Sequence, residues 1–377
     1  MKVLALIQAR MGSTRLPGKV LSPLLGKPML QWQLERLHRS ARISQVVVAT
    51  STLAADDAIA AFCANHSVAC FRGPEDNVLE RFHGAALRFL DSAERGDAIL
   101  IRLTGDCPLI DPMAIDEGIS QFLDLISQGC RYFGYDDSLP DGMDFELFTW
   151  GALHEAWLHA SDSFEREHAT PFMWRNPERF AARKFTKADI PKGLRFSVDY
   201  PEDLALVSAI LQAEHAAGKL FGMREISGLL AGDAGLRSIN AQIIKNEGLI
   251  ITALKSAPFR VDIDGISVAR YGVMLPDGKF PDQSFFDWVT RVGVNVWAAS
   301  AELEAVKSRA GEQALVFDAA ALPPRWAAFA GRNDWRAALY AAANDPGNDG
   351  MLLQASEIRP LAELLMFLCQ ERFQYRP

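Results

Sequence analysis

Short apolar runs alternate with helix-period segments through the first two thirds of the chain. Val3-Leu4-Ala5-Leu6-Ile7 reads as a buried strand that runs into a loop rich in Gly, Ser and Pro. A helix is predicted from Pro28, where Leu30, Leu34 and Leu37 recur at i, i+4 and i+7 on one face. Val46-Val47-Val48-Ala49 predicts a second strand, followed by a helix from Asp56 to Cys63. Val68-Ala69-Cys70-Phe71 predicts a third strand, and Ala98 to Leu103 a fourth. Continuous apolar strands separated by helices describe an α/β fold, a mainly parallel sheet covered on both faces. In such sheets ligands sit beyond the carboxyl ends of the strands, so the loops after the first and fourth strands are the places to look. The character of the chain changes between Lys255 and Phe259, where a new series begins with Phe259 to Ile263 and Val294 to Trp297. We place a domain boundary there, giving domains 1–257 and 258–377.

Composition narrows the function. The chain has 377 residues, 49% apolar and 23% charged, with a formal charge of −8. These values exclude a disordered or fibrous chain and argue against general nucleic-acid binding, which needs a basic face. No run approaches the ~20 apolar residues of a membrane span, and MKVLALIQAR is too short and too soon polar for a signal peptide. Cys63, Cys70, Cys107, Cys130 and Cys369 are five cysteines without CxxC spacing, which predicts reduced thiols in a cytoplasmic protein.

The first loop is chemically dense. Arg10, Arg15 and Lys19 fall within ten positions together with Gly12, Ser13, Thr14 and Gly18. Glycines admit phosphate oxygens to backbone amides, and Arg forks and a Lys charge neutralise them. Three cations after a buried strand repel one another unless an anion joins them, so anion binding is favoured over a solvated turn. The Walker pattern GxxxxGK[ST] is absent. The fourth-strand loop, Leu103-Thr104-Gly105-Asp106-Cys107-Pro108, holds a carboxylate that suits Mg²⁺ and suits an ordinary turn equally well. Phe196-Ser197-Val198-Asp199 reads as a short strand, with Pro201 opening a helix; locally, Asp199 is a helix cap. Glu202 and Asp203 read as acids favoured by the helix dipole.

The stretch IQARMGSTRLPGKVL closely resembles the opening of the sugar-acid cytidylyltransferases, the CMP-KDO and CMP-sialate synthetases and above all the spore-coat polysaccharide branch. RLTGDCPLIDP and VDYPEDL extend the resemblance, which covers about the first two thirds of the chain. It implies a Rossmann-like nucleotidyltransferase domain in which the first loop wraps the CTP triphosphate. Ala9, Arg10, Gly12, Ser13, Thr14, Arg15 and Lys19 would then line the nucleotide, with Thr104, Gly105 and Asp106. Asp106 and Asp199 would hold Mg²⁺, and Arg10, Arg15 and Lys19 would stabilise the departing pyrophosphate, with Arg10 and Lys19 counted among the catalytic residues. Asp76 and Arg81 would border the nucleotide, although an exposed helix start explains them as well. Asp144 and Glu146 would meet sugar hydroxyls, Arg166 a sugar carboxylate, and His168 a hydroxyl or a purely structural neighbour.

The expected activity is transfer of CMP from CTP to an acidic sugar, a nonulosonate or a KDO-like acid, with release of pyrophosphate, in surface polysaccharide or glycoconjugate synthesis. The expected partners are CTP and that sugar, without nucleic acid or membrane, in a homo-oligomer. A glycosyltransferase or another nucleotidyltransferase on the same fold is the rival enzyme, and a non-catalytic scaffold the rival from another class. Beyond Pro258, Asp262 and Asp264 in a DxDG pattern, with Ser300 after the next strand, weakly resemble a haloacid-dehalogenase-like phosphatase. An expected lysine near Asn333 to Leu339 is missing, so an inactive domain that packs subunits is expected. Leu361, Leu364, Leu365 and Leu368 form its closing apolar stripe.

Overall fold

A computed structural model describes residues 1–13 and 15–243, and beyond them 260–263, 266–269, 271–275, 281–310, 316–318, 326–330, 350–354 and 365. Thr14 and Asp264 lie outside the described residues, as do Leu361, Leu364 and Leu368 of the apolar stripe. The chain divides into two compact units, Met1–Lys245 and Asn246–Pro377.

The first unit is built on a seven-stranded sheet. Its strands are β1 (Val3–Gln8), β4 (Gln45–Ser51), β5 (Ala69–Gly73), β6 (Ile99–Thr104), β7 (Tyr132–Tyr135), β8 (Glu146–Thr149) and β9 (Arg183–Phe185). The two-residue strands β2 (Pro23–Leu24) and β3 (Lys27–Pro28) form a separate hairpin after the first loop. The sheet order is β5-β4-β1-β6-β8-β7-β9. The first four strands in that order run parallel. β8 then pairs antiparallel with β6, and the sheet changes direction there. The four strands read from the apolar runs are all present; β1, β4 and β6 are buried on both faces, whereas β5 at the sheet's edge is only partly buried. Ala5 and Ile7 belong to one core cluster, Leu4 and Leu6 to the other.

The helix expected from Pro28 is α1 (Met29–Leu37), and Leu30, Leu34 and Leu37 are buried as its spacing requires. α2 (Asp57–Asn65) packs against β5, and α3 (Val78–Phe89) starts from Asn77, whose side chain accepts from Glu80 N–H. Asp111 caps α4 (Pro112–Ile126) through Met113 and Ala114 N–H. α5 (Trp150–His159), α6 (Ser163–His168) and α7 (Pro171–Arg175) follow β8. α8 (Pro201–Ala217) begins at the proline predicted for it.

One prediction fails in detail. Phe196 to Asp199 is not a strand; it is an extended segment with a single bridge, Asp141 to Arg195, and Val198 N–H donates to the Asp106 carbonyl at 2.9 Å. Apolar alternation identified its burial, but only one residue of a partner strand is available to it. Gly142 sets this arrangement. It adopts φ 89°, and a Cβ there would stand 2.2 Å from Ser197 N, so the 141 turn and the 196 segment touch backbone to backbone.

In the second unit, a five-stranded sheet of order β14-β13-β12-β16-β15 is parallel throughout. Its strands are β12 (Tyr271–Met274), β13 (Asn295–Ala298), β14 (Val316–Asp318), β15 (Trp326–Ala330) and β16 (Gly350–Gln354). Asp262 lies on β10 (Arg260–Ile263), which pairs antiparallel with β11 (Ile266–Ala269) in a sheet of its own. Ser300 follows β13 and is exposed. The Asp262 strand and the strand before Ser300 therefore belong to different sheets, and these two phosphatase-like features are not built on one sheet.

Gly142→Ala should destabilise the first unit by at least about 2 kcal/mol, because the new methyl group combines left-handed backbone strain with a clash against main chain. Urea unfolding checks it; Gly26→Ala, also at positive φ but with open space around it, should lose less.

Candidate active site

The first and fourth strands lie side by side, with Gln8 opposite Thr104, so both of the loops chosen from sequence leave the sheet at the same edge. Gly105 makes this possible: its N–H donates to the Gln8 carbonyl at 2.8 Å, and a Cβ would stand 3.0 Å from that oxygen and from Ala9 Cβ. Ala9 is buried beneath the junction.

Lys19 is the centre of the site. Its loop returns to the sheet through a left-handed Gly18 and places Lys19, 7% exposed, at the start of a short 3₁₀ turn. Lys19 Nζ donates to Asp106 Oδ2 at 2.6 Å and to Asp199 Oδ1 at 2.7 Å. Two acids 93 positions apart in sequence thus converge on one cation. Arg15 adds a second contact to Asp199 Oδ1 at 2.6 Å. Two of the three cations expected to repel one another, Arg15 and Lys19, are therefore joined by the protein's own carboxylates. Burial alone would raise the Asp106 carboxyl, but Lys19 holds it below the ordinary range. Asp199 is likewise held low, against burial, by Lys19, Arg15 and Arg195. Burial works against the Lys19 ammonium, and the two carboxylates outweigh it and raise Lys19.

Asp199 is fixed from behind by a residue that the sequence reading passed over. Arg195 Nη2 donates to Asp199 Oδ2 at 2.7 Å, Nη1 to Asp141 Oδ2 at 2.5 Å, and Nε to Asp203 Oδ1 at 3.1 Å. Asp203 is completely buried and accepts from Asp199 and Tyr200 N–H and from Asn240 Nδ2. Its role is therefore larger than that of an acid at a helix dipole, and Asp199 is not itself the cap. The available signal was the spacing: Arg195, Asp199 and Asp203 recur every four positions across the entry into α8. No local periodicity brings Asp141 or Asn240 to them.

A second anchor holds the backbone of the first loop. Asp56, read as a helix start, is buried and accepts Met11 N–H at 2.7 Å and Ser51 N–H at 3.0 Å. Ser13 Oγ accepts Leu16 N–H at 3.3 Å and so turns the loop. Gly12 lies beside Glu75, where a Cβ would meet the carboxylate at 3.7 Å. Arg10 is exposed at the loop's start.

The remaining candidates divide. Asp76 is exposed at the head of α3, whereas Arg81 is buried and spends Nη1 on the Pro74 and Glu75 carbonyls. Burial and then Arg10 lower Arg81 to about 10. Arg81 thus shapes the loop that borders the first one. Glu146 pairs with Arg102 across β6 and β8 at 2.6 Å, and also receives bonds from Tyr132 and Thr170. Its oxygens are taken up by the protein, which corrects the expectation that it meets sugar hydroxyls. Arg166 is turned to the Ala160 carbonyl at 2.7 Å, away from the role of a free carboxylate clamp. Asp144 accepts Gly142 N–H at 2.9 Å and faces Tyr135, whose phenol it pushes well up. His168 Nε2 is buried without a hydrogen-bond partner, and Ala169 after it adopts φ 65°. Burial, followed by Arg102, Arg10 and Arg175, lowers His168 to about 3, so it is neutral near pH 7. Cys107 is buried, its thiol pushed well up by burial, and Thr104 Oγ1 lies 2.9 Å away; it packs rather than reacts.

A parallel sheet edge with a cation-rich glycine loop and two converging acids defines a nucleotide-binding α/β protein. The cytidylyltransferase family model matches residues 4–206, more than half the chain, and the protein belongs to that family. It is a nucleotidyltransferase that uses CTP. Among its relatives, the spore coat polysaccharide biosynthesis protein SpsF of Bacillus subtilis is 33% identical over 226 residues, 56% of this chain and 86% of that one. The 8-amino-3,8-dideoxy-manno-octulosonate cytidylyltransferase of Shewanella frigidimarina is 39% identical over 202 residues, 53% of this chain and 71% of its own length. A solved cytidylyltransferase from Leptospira borgpetersenii superposes with a TM-score of 0.58 at 31% identity, covering 65% of this chain and 99% of that one. No helix among the described residues is long and apolar enough to cross a membrane.

Two predictions follow from the charges. Arg195→Met should cost about 3–5 kcal/mol in urea unfolding, since it leaves Asp203 buried without its cation. His168 has a folded pKa of about 3 against about 6.5 unfolded. Its stabilising contribution is present above pH 6.5 and declines as pH falls from there toward 3. Thermal melts from pH 7 to pH 4 should fall less steeply in His168→Gln than in wild type.

Proposed function

We propose that the first unit transfers CMP from CTP to a hydroxyl of an acidic sugar, using Mg²⁺ held by Asp106 and Asp199. The observation that carries this reading is the convergence of two ionised carboxylates on a single cation, Lys19, at the edge where the glycine-rich loop opens. The donor set fits Mg²⁺, which takes one or two protein carboxylates and leaves its other positions to water and phosphate. Bound there, the ion would supply Lewis-acid activation of the α-phosphate.

The chain's own residues do the rest. Arg10, Ser13, Arg15 and Lys19 bind and orient the triphosphate, with the loop backbone held by Asp56. Lys19 and Arg15 are already fixed by carboxylates, so their charge is in place before the pyrophosphate departs, which is where preorganised charge lowers a barrier. Arg195 and Asp203 hold Asp199 at its angle. The substrate side is formed by Asp144, with neutral His168 able to accept a hydrogen bond from a hydroxyl at Nε2. The names of the two relatives, one in spore-coat polysaccharide synthesis and one acting on an amino-sugar acid, support an acidic sugar as acceptor.

Pyrophosphate release from CTP across a panel of KDO-like and nonulosonate acids tests the reading. Asp106→Asn and Asp199→Asn should each lower Mg²⁺-dependent turnover by at least ~10²-fold, with thermal melts recorded alongside to separate lost chemistry from lost fold. Turnover near wild type in either variant would remove the two-acid site. Lys19→Ala and Arg10→Ala should weaken CTP binding more than CMP binding in calorimetry, because their charges are assigned to the outer phosphates. Equal losses for both nucleotides would remove that assignment.

A further inference from the structure

Arg15 is held in two ways that differ in their chemistry. Its Nη2 pairs with Asp199 Oδ1 at 2.6 Å, and its guanidinium carbon lies 5.5 Å from the centre of the Tyr200 ring. Lys19 Nζ reaches the same oxygen at 2.7 Å, while Arg195 Nη2 takes Oδ2 at 2.7 Å. One carboxylate oxygen therefore carries two cations. Of these, Lys19 is buried and has Asp106, at 2.6 Å, as a second partner. Arg15 is half-buried, and it is the cation that can change its anion.

The ring is anchored through its own main chain. Tyr200 directly follows Asp199 and stands at the N-cap of α8, where its N–H donates to Asp203 Oδ2 at 3.1 Å. Asp203 is completely buried and is bound by Arg195 and Asn240 as well. The brace behind the Asp199 carboxylate thus also fixes the backbone that carries the ring. A cation is attracted to an aromatic face by the ring's quadrupole, a contact that occupies none of its N–H donors. Arginine serves both purposes at once, because its planar fork lies on a ring while its donors meet an oxyanion.

We propose that Tyr200 is a positioning residue for the triphosphate and acts through Arg15; this rests on the reading of the first loop as the CTP site. When phosphate oxygens draw the guanidinium from Asp199 Oδ1, the ring keeps it beside the loop. Asp199 retains Lys19 and Arg195, so its charge stays paired. A long side chain ordered beforehand loses less conformational freedom on binding, and the gain appears in affinity for the triphosphate.

Calorimetry of the full-length protein with CTP and with CMP, both with Mg²⁺ present, tests this. Tyr200→Leu should weaken CTP binding by about 3- to 10-fold, the range of a partly desolvated cation–π contact, and CMP binding by less than ~2-fold. Tyr200→Phe should bring CTP affinity back to within ~2-fold of wild type, since it keeps the aromatic face. Phenylalanines of increasing ring fluorination in place of Tyr200 keep the shape and drain the face of electron density, so CTP affinity should fall stepwise along the series. In an Arg15→Gln background, Tyr200→Leu should change CTP binding by less than ~2-fold. An undiminished loss in that background overturns the proposal, as does a loss shared equally by CMP. A flat fluorination series overturns it too, and that series decides the matter if Tyr200→Leu melts early. Arg15→Gln alone should weaken CTP more than CMP. If it does while Tyr200→Leu binds CTP like wild type, the role of Tyr200 falls and the triphosphate site stands. If Arg15→Gln binds CTP like wild type, the assignment of Arg15 to the triphosphate falls first and the proposal with it.

Discussion

The contact of Lys19 with Asp106 and Asp199 joins three parts of the chain that share no local structure: the loop after β1, the loop after β6, and the segment before α8. Each part carries charge that would be unstable alone. Buried, unpaired carboxylates and ammonium groups are penalised by several kcal/mol each, and pairing relieves this only where the geometry is good. The surrounding architecture provides that geometry. Gly105 lets the β6 loop lie against β1, Gly142 lets the 141 turn lie against Ser197, and Arg195 braces Asp199 from the side away from Lys19.

The bracing also explains why the acids stay ionised although burial opposes it. Asp199 alone meets Lys19, Arg15 and Arg195, so its negative charge is overdetermined. Asp106 has Lys19 and the Cys107 thiol beside it, and is more exposed, with 23% of its side chain open against 13% for Asp199. The two acids are therefore unequal: one is locked into the scaffold and the other is open to what enters.

Much of the fold was legible because buried parallel strands leave long apolar runs. Val3 to Ile7, Val46 to Ala49 and Ala98 to Leu103 could hardly be anything else. The acids Asp106 and Asp199 were legible only through resemblance, since each has an adequate local explanation as a turn or cap residue. Arg195 was passed over, and Asp203 and Asp56 were read only as acids at helix starts, because the partners that give Asp203 and Asp56 their roles include residues far away in sequence. The strand predicted at Phe196 failed for a related reason: alternation reports which side chains are buried, but a ladder also needs a neighbour to pair with. Glu146 shows the converse error. An acid in a Gly-containing acidic stretch looked available, and its register opposite Arg102 commits it inward.

The change of direction between β6 and β8 divides the sheet's labour. Strands β5, β4, β1 and β6 run one way and form a parallel block beside the glycine-rich first loop, while β8, β7 and β9 extend the sheet beyond it and join the block through the β6–β8 ladder. Asp144 lies in the connection between β7 and β8, and His168 closes α6 after β8, both outside the parallel block. Remodelling those connections therefore leaves the ladders among β1, β4 and β6 untouched. Such a scaffold is modular: the two blocks of the sheet share a single strand boundary, so the connections of one can change without breaking the ladders of the other.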